Sequence, residues 1–252
     1  MTAEGRLTDD AFLGGRLAIL QPERGFRASA DAVLLAAAVP ARDGETALEI
    51  GCGAGVAALC LIARVPGVRV AGLEVQPGYA ALARRNAARN GLSLEVHEGD
   101  LAAMPAALRA AAFDHVLMNP PYFRPGHGTA AADAGRETAL REQAPLAAWI
   151  GAGLRRLRPG GTLTVIQSAD RLADILAACG TGTVTILPVQ PREGRPASRV
   201  IVAVRKGGRG ALRLLAPLVL HAGAAHDGDR DSYGPEATAI LRGGAPLPVA
   251  GR

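Results

Sequence analysis

Residues Asn119–Tyr122 read NPPY and directly follow an apolar run, Phe113–Met118, that predicts a buried strand. Proline fixes φ and has no N–H, so two prolines in a row end strand pairing and hold the preceding residue extended. The side chain of Asn119 and the carbonyl of Pro120 thus become two acceptors with little freedom. Such acceptors can hold both hydrogens of an exocyclic amino group while its lone pair attacks a carbon electrophile.

Tyr122 would then offer a face on which a planar substrate stacks. No strong general base is needed, because a cationic product nitrogen loses its proton readily. The alternative is a rigid turn that ends a strand and binds nothing.

A second stretch, EIGCGAG, begins at Glu49 and carries glycines that permit a tight turn and close backbone approach to a ligand: Gly51, Gly53 and Gly55. Residues 53–58 also satisfy the relaxed dinucleotide fingerprint. However, the Glu49 carboxylate would repel a pyrophosphate and instead suits a ligand that bears an ammonium and a sulfonium. A glycine turn without a ligand is the other interpretation.

These stretches must be positioned by a fold in which short apolar runs alternate with helical stretches. The predicted strands are Thr46–Ile50, Val68–Leu73, Leu94–His97, Phe113–Met118 and Thr162–Gln167, and the predicted helices are Val56–Arg64, Tyr79–Asn90 and Ala139–Leu157. This alternation favours an α/β fold with a mostly parallel sheet covered by helices on both faces, and such sheets bind ligands at the carboxyl ends of their strands. Glu74 ends the second strand, where its carboxylate can accept ribose hydroxyls, although a plain surface acid is the alternative.

The remaining segments are predicted from local signals. Thr183–Leu187 and Val200–Arg205 predict an antiparallel pair at the sheet's edge, with Val200, Val202 and Val204 on one face. Ser29 could cap a helix over residues 31–39. Residues 212–220 predict a further strand and residues 235–242 a short helix, while residues 243–252 are expected to fray. The chain divides into a covering segment (1–43), a core (44–207) and a C-terminal extension (208–252) of one domain.

Composition adds weaker constraints. The chain has 252 residues, 49% of them hydrophobic, with no apolar run near the roughly 18 residues of a membrane span and no signal-peptide layout, so a cytoplasmic location without membrane contact is expected. Its three cysteines lack metal-ligand spacing, so no metal is expected. Residues 188–209 hold six basic residues and one acid, which equals the chain's net charge of +5. This segment is either a phosphate-contacting surface or a solvated loop.

The spacing E-x-G-x-G-x-G together with NPPY resembles class I S-adenosylmethionine (SAM) methyltransferases. The resemblance implies a Rossmann-like, seven-stranded, mostly parallel sheet with an antiparallel edge strand. It implies SAM as the cofactor and the following cofactor-binding residues: Glu49, Gly51, Gly53, Gly55, Glu74, Asp100, Leu101 and Asn119. Asp100 and the amide of Leu101 would contact adenine, although helix capping by Asp100 competes with that role. The catalytic residues implied are Asn119, Pro120, Pro121 and Tyr122.

NPPY is typical of the methyltransferases that modify planar NH2 groups, namely adenine N6, guanine N2 or a glutamine amide. Residues 24–39, the stretch after NPPY, and the C-terminal GRPASRVIVAVRKG and YGPEATAILRG are similar to bacterial tRNA adenine-N6 methyltransferases that act beside the anticodon. That similarity implies RNA, most specifically tRNA, as the partner. The substrate-binding residues would then be Phe26, Arg27, Phe123, Arg136, Arg195 and Arg199.

Three alternatives stay open. A protein glutamine methyltransferase shares NPPY, but usually carries a helical N-terminal domain longer than the 48 residues that precede Glu49. A guanine-N2 rRNA enzyme typically has a duplicated domain. A cofactor-binding scaffold would have no reason to keep Asn119 and Tyr122.

Overall fold

The computed structural model describes residues 6–121, 144–223 and 232–249. It begins with an antiparallel hairpin, β1 (Leu7–Phe12) and β2 (Leu17–Pro22), joined by a short 3-10 turn at Leu13–Gly15. The turn contains Leu13 and two glycines with positive φ, which suits a tight reversal. Every second residue of β1 is exposed, whereas β2 is mostly buried. No strands were predicted here from the sequence.

One large sheet follows. Its strands are β3 (Thr46–Ile50), β4 (Arg69–Glu74), β5 (Leu94–Glu98), β6 (Phe113–Met118), β7 (Leu157–Ser168), β8 (Gly182–Arg192), β9 (Arg199–Lys206), β10 (Arg213–Leu214) and β11 (Leu218–His221). They are ordered β10-β8-β9-β7-β6-β3-β4-β5, with β11 also paired to β8. Strand β9 is antiparallel to both neighbours and all other pairs are parallel. The predicted α/β class and parallel core are therefore confirmed.

The strand count and the position of the reversed strand differ from the prediction. In the described part of the chain the sheet has nine strands, because the region predicted as one strand over residues 212–220 forms two short strands, separated by residues 215–217, that both pair with β8. The antiparallel pairing of β8 and β9 is confirmed, but the reversed strand is not at the edge: β9 lies between β7 and β8. Residues Val200, Val202 and Val204 all face the same apolar cluster, as predicted.

Helices cover both faces of the sheet. The described helices are α1 (Ala30–Ala38), α2 (Val56–Arg64), α3 (Pro77–Arg89), α4 (Ala106–Ala110), α5 (Leu146–Arg156), α6 (Leu172–Ala178) and α7 (Pro235–Leu241). One apolar cluster joins α1, α2, α3 and α7, and the other joins α4, α5 and α6. The first also includes residues from the N-terminal hairpin and the C-terminal tail, so all three predicted segments share one core.

Two predictions need correction, one for a helix and one for the C-terminal tail. The helix predicted over residues 139–157 begins at Leu146, because Pro145 has extended backbone and precedes the first turn; residues 139–143 lie outside the described part. The tail is not frayed up to residue 249. Leu247 and Val249 are buried, and the Leu247 amide donates to the Ala37 carbonyl of α1 at 2.8 Å. Among the described residues, no helix is long and apolar enough to cross a membrane.

Candidate active site

The register of three neighbouring strands brings the predicted site residues to one edge of the sheet. Ile50, at the end of β3, pairs with Met118 of β6 on one side and with Leu73 of β4 on the other. The next residues along these strands are therefore neighbours, with strands about 5 Å apart. The structure thus brings the glycine loop, the NPP turn and Glu74 together at the carboxyl ends, where an open α/β sheet binds its ligand.

The glycine loop is fixed by β4 on one side and by an aromatic ring on the other. The amides of Gly51 and Cys52 both donate to the Leu73 carbonyl, at 2.8 and 3.0 Å. Gly51 has a φ of +73°, and a Cβ there would lie 2.7 Å from Cη2 of Trp149 on α5. The loop therefore needs glycine at residue 51 both for its backbone angle and for contact with Trp149, a half-buried residue that no sequence motif marks.

Gly55 is tightly packed at the start of α2. It precedes α2 with a φ of +85°, and a Cβ would lie 3.2 Å from side-chain atoms of both Ala83 on α3 and Leu94 on β5. Its small size thus serves the packing of the loop against the covering helix. Gly53 lies closest to the ring of Phe26, 3.6 Å from a Cβ position.

Two buried carboxylates support the loop from below. Oε2 of Glu49 accepts the Ala58 amide at 2.8 Å, inside the first turn of α2, and Oε2 of Glu74 accepts the Gly53 amide at 2.9 Å. Oε1 of Glu74 also accepts the Gln76 amide. Burial raises the pKa of Glu49 to about 8 and raises the pKa of Glu74 as well, and Glu74 adds to the shift at Glu49 by like charge. Burial therefore disfavours the charged form of both carboxyls, and a bound cation would favour it.

The NPP turn carries the unsatisfied acceptor of the site. Oδ1 of Asn119 is buried and has no hydrogen-bond partner in the described residues. The carbonyls of Pro120 and Pro121 are engaged by Gln167 of β7, whose Nε2 donates to them at 3.0 and 3.4 Å. Gln167 is fully buried, and it was missed from the sequence because one glutamine in an apolar strand gives no motif.

The predicted adenine-contacting pair lies just beyond the end of β5. Asp100 is exposed, and its Oδ1 accepts the Ala102 amide at 2.8 Å, while Leu101 is half-buried. This bond closes a local turn and is not a helix cap, because the next helix, α4, begins only at Ala106. The carboxylate keeps acceptor capacity for a ligand.

The segment before α1 lies over the glycine loop. Phe26, with 47% of its surface exposed, contacts the Gly53 region, and its carbonyl accepts the Tyr79 hydroxyl at 2.9 Å. The guanidinium of Arg27 binds Asp10 at 2.6 Å and also donates to Thr8 of β1. These contacts attach Arg27 to the N-terminal hairpin, and its contact with a substrate stays a prediction.

The basic segment is divided between the two ends of the β8–β9 hairpin. Arg195 lies in the turn and is exposed, and Arg199 pairs with Ser168 at the carboxyl end of β7. Arg205 pairs with Thr162 at the other end, about 20 Å away at a rise of roughly 3.4 Å per residue. Arg199 also forms an ion pair with Asp31 at 3.1 Å. The basic segment, which the sequence left as either a phosphate-contacting surface or a solvated loop, therefore does not form one continuous basic surface.

Three predicted residues lie outside the described part of the chain: Tyr122, Phe123 and Arg136.

Comparison with known proteins defines the class. The family model described as the methyltransferase small domain matches residues 28–187, and the chain belongs to this family. The fold and the family together define a class I, SAM-dependent methyltransferase.

The chain is also similar to individual named proteins and to a solved structure. The chain is 34% identical over 179 residues to a tRNA1(Val) (adenine(37)-N6)-methyltransferase of Porphyromonas gingivalis, which covers 66% of this chain and 68% of that protein. It is 30% identical over 200 residues to the protein of the same name in Dickeya chrysanthemi, covering 76% and 77%. The crystal structure of a predicted O-methyltransferase from Agrobacterium tumefaciens matches with a TM-score of 0.70 at 29% identity, over 86% of this chain and 98% of that one.

Proposed function

We propose that this enzyme methylates the exocyclic N6 amino group of an adenine in tRNA. The observation that carries the proposal is the buried Oδ1 of Asn119, which has no hydrogen-bond partner among the described residues, beside a Pro120 carbonyl that Gln167 holds. Buried polar atoms are almost always hydrogen-bonded in native proteins, so an orphaned acceptor at a ligand-binding edge indicates a donor that arrives with the substrate.

The cofactor fits the residues at this edge. A ligand with an ammonium and a sulfonium suits a pocket whose two carboxylates, Glu49 and Glu74, are buried without an ion-pair partner among the described residues. Glu74 uses one lone pair of each oxygen for the loop and keeps acceptor capacity for ribose hydroxyls. Asp100 and the Leu101 amide would contact the adenine ring.

SAM supplies an electrophilic methyl group on sulfur. The chain's own residues orient the nucleophile: Asn119 Oδ1 and the Pro120 carbonyl each accept one amino hydrogen, which lets the nitrogen pyramidalise and direct its lone pair at the methyl carbon. SAM bound at this edge would supply the methyl group and would be converted to S-adenosylhomocysteine, while the amino nitrogen held by Asn119 and Pro120 would lose one proton to water. Because the acceptors are fixed before reaction, little reorganisation is needed.

A base in a duplex cannot reach this turn, so the substrate must be unpaired or extruded. An anticodon loop offers such bases. Tyr122 and Phe123 directly follow the turn in sequence and Arg136 lies further along the same stretch, and we assign them to stacking and contact with the extruded base. The relatives named as tRNA adenine methyltransferases and the exposed Arg195 at the same edge support an RNA partner and a cytoplasmic location.

The test is methyl transfer from labelled SAM to total tRNA, followed by digestion and mass analysis of nucleosides. We expect N6-methyladenosine, with label absent from release factors offered in parallel. N2-methylguanosine in the digest, or label only in release-factor glutamine, would overturn the adenine assignment. An adenine-free RNA of the same length serves as the matched control.

A further inference from the structure

Gln167 joins β7 to the NPP turn. Its side chain is fully buried at the carboxyl end of β7, and its Nε2 donates to the Pro120 carbonyl at 3.0 Å and to the Pro121 carbonyl at 3.4 Å. Its Oε1 accepts the Ser168 amide at 2.8 Å. Because an amide in a folded chain is oriented by its hydrogen-bond network, the bond to Ser168 fixes which end faces the prolines.

The turn needs this contact because its prolines cannot be held by backbone hydrogen bonds between β6 and β7. The last paired residues of β6 and β7 are Met118 and Val165, so Pro120 and Gln167 both lie two residues beyond the last pair. Proline has no N–H to donate, and strand pairing stops there. The side chain of Gln167 takes the place of the missing ladder bonds and ties the turn to the sheet.

We propose that Gln167 is a positioning residue for methyl transfer, an inference that rests on the proposed role of the Pro120 carbonyl as an acceptor. A carbonyl oxygen has two lone pairs. Gln167 engages one of them and fixes the direction of the other, so the Pro120 carbonyl presents a single acceptor toward the substrate. Together with Asn119 Oδ1, the turn then offers two acceptors for the two hydrogens of one NH2 group.

The first variant is Gln167→Leu, which keeps the volume but removes both hydrogen-bonding functions. We expect kcat to fall about 10-fold or more, the order seen when outer groups that orient a reactive group are removed. The KM for SAM should stay within about twofold, because the side chain of Gln167 bonds to the two prolines and Ser168 and not to the glycine loop or Glu74. Ile166→Val is the matched control: it trims a fully buried neighbour on the same strand and should lower the melting temperature without changing kcat.

The second variant, Gln167→Glu, tests the donor itself. A protonated glutamic acid can donate to the Pro120 carbonyl, whereas a carboxylate cannot and repels it. Because the residue is buried, its pKa will be raised. We therefore expect kcat of the variant to approach the wild-type value at a pH of about 5.5 and to fall as pH rises to about 8.5, while the wild-type profile stays flatter.

The results separate this inference from the proposed function. A wild-type kcat in Gln167→Leu would overturn the positioning role. Changes in kcat, SAM affinity and melting temperature that match those of Ile166→Val would overturn it as well. If Gln167→Leu does not fold, a pH profile of kcat for Gln167→Glu that is parallel to the wild-type profile would overturn the positioning role. Failure of the proposed function is seen differently, as wild-type enzyme that forms no N6-methyladenosine in tRNA.

Discussion

At the scale of single residues, Glu49 is held where its charge is unfavourable. It is buried and receives one backbone amide, from Ala58, and burial raises its pKa to about 8. A folded-state pKa above the unfolded value means that the folded protein holds a proton that the unfolded chain releases. The stability of the cofactor-free protein therefore falls as pH rises from about 4.5 to about 8 and is constant beyond.

Glu49→Gln is predicted to stabilise the free protein and weaken the cofactor complex. Glutamine keeps an acceptor for the Ala58 amide and removes the ionisation, so the melting temperature should rise by about 2–4 °C or more at a pH of about 8. At a pH of about 4.5 and below the gain should vanish, because the carboxyl is protonated in the folded state and largely so in the unfolded state. SAM affinity should fall at least about 10-fold, since the pocket loses its charge complement to the ligand.

Differential scanning fluorimetry across pH checks the first effect and calorimetric titration with SAM the second. Glu98→Gln is the matched control, because its carboxylate is exposed and paired with Arg84. A Glu49→Gln protein that is less stable than wild type at a pH of about 8 would show that the residue is needed as a charged cap for α2.

The polar ends of the strands could be predicted from the sequence, because Glu49, Glu74 and Asn119 each lie at the end of an apolar run. Gln167 and Trp149 could not. Gln167 contacts Pro120 because of the β6–β7 register, and Trp149 contacts Gly51 because of the packing of α5. Both partners lie far away in sequence. Nothing local marks either residue as part of the site.

At the scale of elements, two asparagines on α3 and at its C-terminal end behave like a neighbouring strand for β2. Asn86 accepts the Leu20 amide at 2.8 Å and donates to the Leu20 carbonyl at 3.0 Å, and Asn90 does the same at Ala18. Asn86 also donates to the Ala54 carbonyl of the glycine loop. One helical turn separates the two asparagines, which matches alternate residues on the strand. The hairpin is thereby fixed to the site that its following segment covers.

Asn86→Ala is predicted to cost about 2–4 kcal/mol of stability. The substitution leaves the Leu20 amide and carbonyl and the Ala54 carbonyl without partners beneath a fully buried side chain. Urea unfolding measures the loss, and Asn90→Ala, at a less buried position, is the comparison, with a loss of about 1 kcal/mol. Equal losses in the two variants would contradict the role of burial.

The alternation of strands and helices allowed the core elements to be predicted, because period and composition are local properties. The β1–β2 hairpin was missed since its second strand is buried by α3, an element distant in sequence. The tail beyond α7 was missed for the same reason: it is ordered by the Ala37 carbonyl of α1.

At the scale of the whole molecule, the β8–β9 hairpin places its basic residues at two opposite edges of the sheet. Arg195 lies at the edge that holds the NPP turn, whereas Arg205 lies at the opposite edge. Arg199 and Lys206 have internal partners, Asp31 for the first and the Leu154 and Leu157 carbonyls for the second. The net charge can be counted from the sequence. The edge of the sheet at which each basic residue lies cannot, because it depends on the length and direction of β9.

Arg195→Glu is predicted to weaken tRNA binding and to reduce the dependence of log K on log salt. Each phosphate that the protein neutralises releases about 0.7–0.9 of a counterion, so a variant that neutralises one phosphate fewer has a slope that is smaller by that amount. Arg205→Glu carries the same change in net charge to the opposite edge and should leave both quantities nearly unchanged. Affinities at about 50 to 200 mM salt measure the difference. Equal effects of the two substitutions would show that only net charge matters.

Asn119 is central to the proposed chemistry, in which it orients an amino group and does not hold the cofactor by itself. Asn119→Ala tests this role most directly, with kcat measured on tRNA and SAM binding followed through the fluorescence of Trp149, the chain's one tryptophan. We predict a fall of at least about 100-fold in kcat, with the dissociation constant for SAM within about threefold of wild type. Unchanged turnover, or a fall in turnover explained wholly by weaker SAM binding, would contradict the proposed role of Asn119.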